Sequence, residues 1–224
     1  CAQRKPEKKE KGETGTESAE KSKGKGKDKP RPVRNIYLVR HGQYEMKEKD
    51  EDCKLTALGR EQAKLAGQRI NQLTFKLDKI FYSTMTRATE TAKIIMGEMK
   101  DVPANESCDM TREGCPIRPE PDIWGVPTDA DYFEDGARIE GAFRKYFYRP
   151  DPDQKETSHE MIVCHGNVIR YFVCRALQVP PEYWLRMGVA NCSITHITIT
   201  ASGRVSIRAL GDVGHVPADK QTFT

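Results

Sequence analysis

The sequence predicts an α/β layered fold in a single domain, with a mostly parallel central sheet and helices on both faces. Three observations predict it. The chain has 224 residues, of which 37 % are hydrophobic, enough for one sizeable core and cramped for two. Short apolar runs alternate with amphipathic stretches of helical period, the pattern of strand and helix units that build a parallel sheet. Two of the apolar runs have a histidine just past their end, His41 and His165, at the edge where an open α/β sheet delivers reactive side chains into a crevice.

Residues 1–32 hold 11 Lys and Arg against 6 Asp and Glu, with almost no apolar side chains. Such a segment buries too little surface to repay its ordering entropy and reads as a flexible basic linker. Asn35-Ile36-Tyr37-Leu38-Val39 is a buried strand running into Arg40-His41-Gly42. After the polar loop Gln43 to Lys54, Thr56 caps a helix that keeps Leu58, Leu65, Ala66, Ile70 and Leu73 on one face. Lys79 to Tyr82 is a second strand, which leads through Ser83 into a helix from Thr86 to Met99. Pro103 to Pro127 is loop-rich. A helix spans Asp131 to Tyr148, with Tyr132, Phe133, Ile139, Phe143 and Tyr146 as its expected buried face. Met161 to Cys164 is a strand entering His165, and a helix follows from Asn167 to Leu177. Ser193 to Thr200 and Val205 to Ala209 are strands joined by a Ser202-Gly203 turn. The folded domain is expected over 33–210, with 211–224 as a C-terminal tail.

Outside residues 1–32 the chain carries 26 basic against 27 acidic side chains, so no strong field draws it to nucleic acid. The seven cysteines, at 1, 53, 108, 115, 164, 174 and 192, form no C-x-x-C pair and no zinc spacing with histidine, which argues against a disulfide framework or structural zinc. No apolar stretch approaches the roughly 20 residues that cross a bilayer, and no secretory pattern is present. The chain as given therefore reads as soluble. It begins with Cys rather than Met, so upstream residues, including any targeting or anchoring segment, are expected to be missing.

The candidate chemistry comes from residues that follow strands. His41 and His165 both lie just past strand ends. Arg40 precedes the first, and Arg87 sits on the first turn of a helix, where anions are favoured. Glu113, in Arg112-Glu113-Gly114, lies in an irregular segment that can present a carboxylate to a cleft. Together these fit phosphoryl transfer through a histidine. A neutral imidazole, with a reference pKa of about 6.5, is a competent nucleophile near neutral pH. Guanidinium groups match the equatorial phosphoryl oxygens in shape and sign, and His165 adds a hydrogen bond to them. A carboxylic acid kept protonated by burial supplies the leaving oxygen's proton, and afterwards activates water.

Four ordered stretches, Arg40-His41-Gly42, Leu55 to Ala63, Ser83 to Thr91 and His165-Gly166, resemble the histidine phosphatase (phosphoglycerate mutase-like) superfamily, over Asn35 to Ala209. The resemblance implies that His41 accepts the phosphate, that Arg40, Arg87 and His165 with Gly42 hold it, that Glu113 donates the proton, and that neither a metal nor another cofactor takes part. Leu55 to Gln62, Met85 to Ala88, Arg112 to Ile117, Glu134 to Glu140 and Val168 to Tyr171 further resemble mitochondrial serine/threonine-protein phosphatases of that superfamily. This implies phosphoprotein substrates, a homodimer or higher homo-oligomer, and a mitochondrial location through an N-terminal membrane anchor absent from this chain; a shorter cytoplasmic relative is the alternative. Sugar-phosphate mutases commonly carry an asparagine soon after Arg-His-Gly, whereas Gln43 to Lys47 has none. The acidic, lysine-rich loop Glu45 to Lys54 is expected to leave the crevice open to a protein side chain. A small-molecule phosphatase or phosphoglycerate mutase, and a phosphate-pocket scaffold without turnover, remain alternatives.

Cys164 invites a thiol-hydrolase reading, but strand alternation points it away from its neighbour's side. His159 is expected in a loop and His196 in a strand, both without chemistry, and His215 has no assignment. Trp124 and Trp184 read as packing residues. Asn191-Cys192-Ser193 reads equally as pocket lining or as a plain turn.

Overall fold

The computed structural model describes residues 32–122 and 127–224. The basic segment before them, and Trp124, lie outside the described residues. The chain runs β1 (Val33–Arg40), α1 (Ala57–Asn71), β2 (Lys79–Ser83), α2 (Thr86–Gly97), β3 (Ala104–Cys108), α3 (Asp129–Tyr146), β4 (Ser158–Cys164), α4 (Gly166–Leu177), β5 (Ile194–Thr200) and β6 (Val205–Asp212). The sheet order is β3-β2-β4-β1-β5-β6. The pairs β3–β2, β2–β4 and β4–β1 are parallel, while β5 and β6 extend the β1 side antiparallel.

β1 and β4 read as continuous apolar runs because both of their faces are covered. Ile36, Leu38, Ile162 and Cys164 pack with Ile139 and Ala142 of α3 and with Val168 and Phe172 of α4. The alternate residues Tyr37, Val39, Met161 and Val163 pack with Ala63 and Ala66 of α1 and with Ala92 and Ile95 of α2. Thr56 Oγ1 caps α1 by accepting from Gly59 N at 3.0 Å. Gly59 has no room for a side chain: a Cβ there would stand 1.9 Å from the Gln43 carbonyl oxygen, and one on Gly42 would stand 2.5 Å from that of Gly59. The loop leaving β1 and the first turn of α1 therefore touch backbone to backbone.

The structure departs from the sequence expectations at several points. The segment read as loop-rich contains β3, whose first four residues are exposed; an edge strand covered on neither side needs no apolar period to mark it. Phe133 is 80 % exposed, not buried, because it lies ~120° around α3 from Ile139 at about 100° per residue. β4 begins at Ser158, so His159 belongs to a strand, where it stacks on Phe75 with centroids 3.8 Å apart. The segment read as a tail is also structured. β6 continues to Asp212, and the chain then returns to bond α1 and the loop before β5: Gln62 Nε2 donates to Lys220 O (2.7 Å) and Asn191 N to Thr222 O (2.8 Å). Trp184 is fully buried and donates from Nε1 to Ile117 O at 2.9 Å.

Candidate active site

The sheet register brings the two histidines together. Arg40 pairs with Cys164 across the parallel β1–β4 ladder, so the next residue of each chain leaves an adjacent strand end at the same height. His41 and His165 consequently lie with ring centroids 5.2 Å apart. β2 flanks β4 on its other side, and its last residue, Ser83, has Oγ 2.8 Å from His165 Nε2. Three neighbouring strands thus end in one buried polar cluster, with His41 at 1 % and His165 at 0 % exposure.

The tautomer of His41 follows from its partner. Nδ1 lies 2.8 Å from Gly42 O, and a carbonyl only accepts, so Nδ1 carries the hydrogen and Nε2 keeps its lone pair. Arg87 Nε donates to that Nε2 at 3.3 Å. Burial first, and then the charges of Arg87 and Arg40, hold the His41 pKa well below 6.5, outweighing the bond to Gly42. The ring is neutral at physiological pH. His165 is pushed well down in the same way, by burial and then by His41 and the surrounding arginines, and its Nδ1 is buried without a partner.

Arg40 and Arg87 are both buried beside these rings, but they offer different atoms. Arg40 Nη1 and Nη2 donate to Val189 O and Thr224 O at 2.7 and 2.5 Å. Only its buried Nε lacks a partner, and a Cβ on Gly166 at the start of α4 would stand 3.4 Å from it. Arg40 thus commits one N–H of each Nη to these oxygens and keeps its Nε free beside the rings. At the start of α2 the anion is a side chain of the chain itself: Asp50 Oδ2 accepts from Thr86 N at 3.2 Å, and Oδ1 lies 3.6 Å from Arg87 Nη1. Tyr44 stands edge-on to His41 (5.2 Å) and under the Arg87 guanidinium (4.6 Å). The loop expected to leave the crevice open thus folds over it.

Glu113 reaches the cluster from the segment after β3. Its Oε2 accepts from Asn167 N (3.4 Å) and its Oε1 from Gly114 N (3.2 Å). Burial raises its pKa above 4.5, and Arg87, Gly114, Arg40 and Asn167 oppose that rise without cancelling it. All five side chains singled out from the sequence therefore meet in one place. Gly42, expected to contact substrate, has other commitments: its N–H donates to Thr91 Oγ1 (3.0 Å) and its carbonyl receives His41 Nδ1. Cys164 belongs to the core, where burial pushes its thiol far up. Among the described residues no group of three or more His, Cys, Asp or Glu side chains is arranged to hold a metal ion.

Sequence reasoning gave Ser83 and Asn167 no part in bracing this cluster and left the Asn191 turn open between pocket lining and a plain turn. Ser83 served there only as a strand exit. Asn191 is 1 % exposed and donates from Nδ2 to His41 O (3.0 Å) and Thr224 O (2.9 Å), so the Asn191-Cys192-Ser193 turn braces the backbone of the nucleophile candidate. Asn167, two residues after His165, donates to Gly114 O at 3.1 Å; its place just past a site histidine was the only available signal. His215 bonds Cys192 O through Nε2 at 3.0 Å.

The sequence matches the histidine phosphatase superfamily (branch 1) over residues 36–110 and 136–212. The chain belongs to that superfamily. It is also similar to a protein of Xenopus laevis named serine/threonine-protein phosphatase PGAM5, mitochondrial, 54 % identical over 88 % of this chain and 71 % of that protein. The human protein of the same name is 51 % identical over 87 % of this chain and 68 % of its own length. Among solved structures, a phosphoglycerate mutase from Plasmodium falciparum superposes with a TM-score of 0.59 at 33 % identity, covering 84 % of this chain and 96 % of that one. The six-stranded, mostly parallel sheet with helices on both faces is thus the histidine phosphatase fold.

Proposed function

We propose that this histidine phosphatase hydrolyses phosphoserine and phosphothreonine in proteins through a phosphohistidine at His41. The observation that carries the proposal is the pairing of His41 Nδ1 with Gly42 O, which turns a neutral Nε2 lone pair toward Arg87 and beside His165. In the first step Nε2 forms a bond to phosphorus as the bond to the serine oxygen breaks. Arg87, the free Nε of Arg40 and His165 stabilise the charge on the transferring oxygens, and the Glu113 carboxyl passes its proton to the departing alkoxide. In the second step the Glu113 carboxylate takes a proton from water as the water oxygen bonds to phosphorus. The N–P bond breaks and His41 is regenerated neutral. Neither step calls on a metal to activate the nucleophile.

Relatives at more than half identity that are named protein phosphatases support a phosphoprotein substrate over a three-carbon phosphate. Turnover on a phosphoserine peptide should therefore exceed that on phosphoglycerate, and the reverse ranking would favour the small-molecule reading. The names of the same relatives support a mitochondrial location. Self-association and an N-terminal anchor rest on resemblance alone, and sedimentation across a dilution series tests the first. The decisive experiment is acid quench with a labelled phosphopeptide. Label should remain on the wild-type chain and be absent from His41→Ala, whose turnover should fall by about 10⁴-fold or more; label on the variant ends the assignment.

A further inference from the structure

We infer that Arg138 is a positioning residue for the proton donor, holding the Glu113 segment in its working place; this rests on the reading of Glu113 as general acid. The segment between β3 and α3 has, among its described residues, no sheet ladder after Cys108. Its carbonyls are gathered instead by one guanidinium from α3. Arg138 Nη1 donates to Met110 O (3.1 Å) and Arg112 O (2.6 Å), and Nη2 donates to Glu113 O (3.0 Å) and Asp135 Oδ1 (2.5 Å). Asp135, one helical turn before it, also accepts from Cys115 N at 2.9 Å. The Arg138–Asp135 pair therefore grips the backbone on both sides of Glu113, including the peptide of Glu113 itself.

Gly114 shows how closely this grip is fitted. A Cβ there would stand 2.3 Å from Asp135 Cγ and 2.6 Å from Arg138 Nη2, so the pair closes only over a residue without a side chain. A second arm comes from α4, where Asn167 Nδ2 donates to Gly114 O (3.1 Å) and Arg170 Nη1 donates to Asn167 Oδ1 (3.3 Å). Arg138 bonds to the Glu113 segment and to Asp135 rather than to either histidine. Its influence on the reaction passes through the place it gives Glu113, and a proton donor misplaced by about 1 Å loses much of its effect.

A positioning role differs from a merely structural one in which substrates it affects. Alkyl phosphates need the acid, because a serine alkoxide is a poor leaving group, whereas 4-nitrophenyl phosphate releases a stable phenolate unaided. First-turnover rates should be measured for both substrates on wild type, Arg138→Gln, Arg138→Lys, Glu113→Gln and the Arg138→Gln/Glu113→Gln double variant. Arg138→Gln should lose about 10- to 100-fold on a phosphoserine peptide and less than about threefold on the aryl phosphate. Arg138→Lys, whose ammonium reaches fewer carbonyls, should fall between wild type and Gln, and the double variant should be no slower on the peptide than Glu113→Gln alone. Equal loss on both substrates, or no loss on the peptide, overturns the assignment of Arg138. Equal loss on both for Glu113→Gln overturns the acid reading beneath it, so the two failures are distinct. Should Arg138→Gln not fold, Asp135→Asn carries the test: peptide-selective slowing supports the grip, and unselective slowing or none refutes it.

Discussion

The two sides of the proposed active site are positioned by different physics. The nucleophile side, His41, His165 and Ser83, sits on the ends of three hydrogen-bonded strands, and the Arg40–Cys164 register sets the rings side by side. The acid side, Glu113, sits on an irregular segment whose carbonyls are collected by Arg138 of α3 and braced by Asn167 of α4. A sheet ladder places a side chain through many mutually supporting bonds, and losing one of them is shared among the rest. A grip by a few side chains concentrates the same task in one or two residues. Damage on the ladder side should therefore touch every substrate, whereas damage on the gripped side should touch those that need a proton.

Arg87→Gln is the strongest test of that contrast. In the proposed mechanism it removes a charge that stabilises the transferring phosphoryl group whatever the leaving group, so first turnover should fall ~10²- to 10³-fold on the phosphopeptide and on the aryl phosphate alike. It also removes a charge that holds the His41 pKa down. A nucleophile must be neutral, so the acidic limb of the rate profile should move to higher pH in the variant. Selective loss on the peptide, or an unmoved limb, would contradict the division of roles.

Asn191→Ala probes the brace beneath the nucleophile. It removes the Nδ2 bond to the His41 carbonyl, which keeps only Cys192 N at 3.3 Å, and the acceptor of the Thr222 hydroxyl, which keeps Gln62 Nε2 at 2.9 Å, and a hydrogen bond of this kind is worth about 0.5–1.5 kcal/mol. The denaturant midpoint should fall accordingly, with the segment after β6 becoming the first site of proteolytic cutting. An unchanged midpoint would mean that the segment holds itself.

The smallest effect concerns acid. His196, which pairs with Tyr37 within the β1–β5 ladder, is held at about 4 by burial first and then by neighbouring positive groups. Between the ordinary value of 6.5 and that figure, the unfolded chain binds a proton that the folded chain refuses. Stability is therefore lost as pH falls through this window. The thermal midpoint should drop between pH 7 and pH 5 with a shallower slope in His196→Gln, and equal slopes would deny the contribution.

The sequence made the ladder side legible and left the acid side half hidden. Apolar runs ending in Arg-His-Gly and in His-Gly announced both strand ends, because a buried strand needs an unbroken apolar run and the first polar residue after it marks the edge. Glu113 was visible as a carboxylate in a loop, but Arg138 looked like any charge on an amphipathic helix. β3 was missed because Asn105, Glu106 and Ser107 carry no apolar period on an exposed edge, and Phe133 was misplaced because aromatic content was read as burial without its helical angle.

The amino-acid order by itself determined the fold class, the strand ends and the kinds of side chain available for phosphate chemistry. These depend on local periodicity and on which residues can be buried, and both are properties of neighbours along the chain. Tertiary structure alone decided that Arg40 spends two of its donors on carbonyls, that Asp50 and Tyr44 cover the site, that the last residues return to Gln62 and Asn191, and that one guanidinium gathers the acid segment. Each of these is a contact between groups far apart in sequence, fixed by the register and packing of the whole sheet, and no local pattern encodes it.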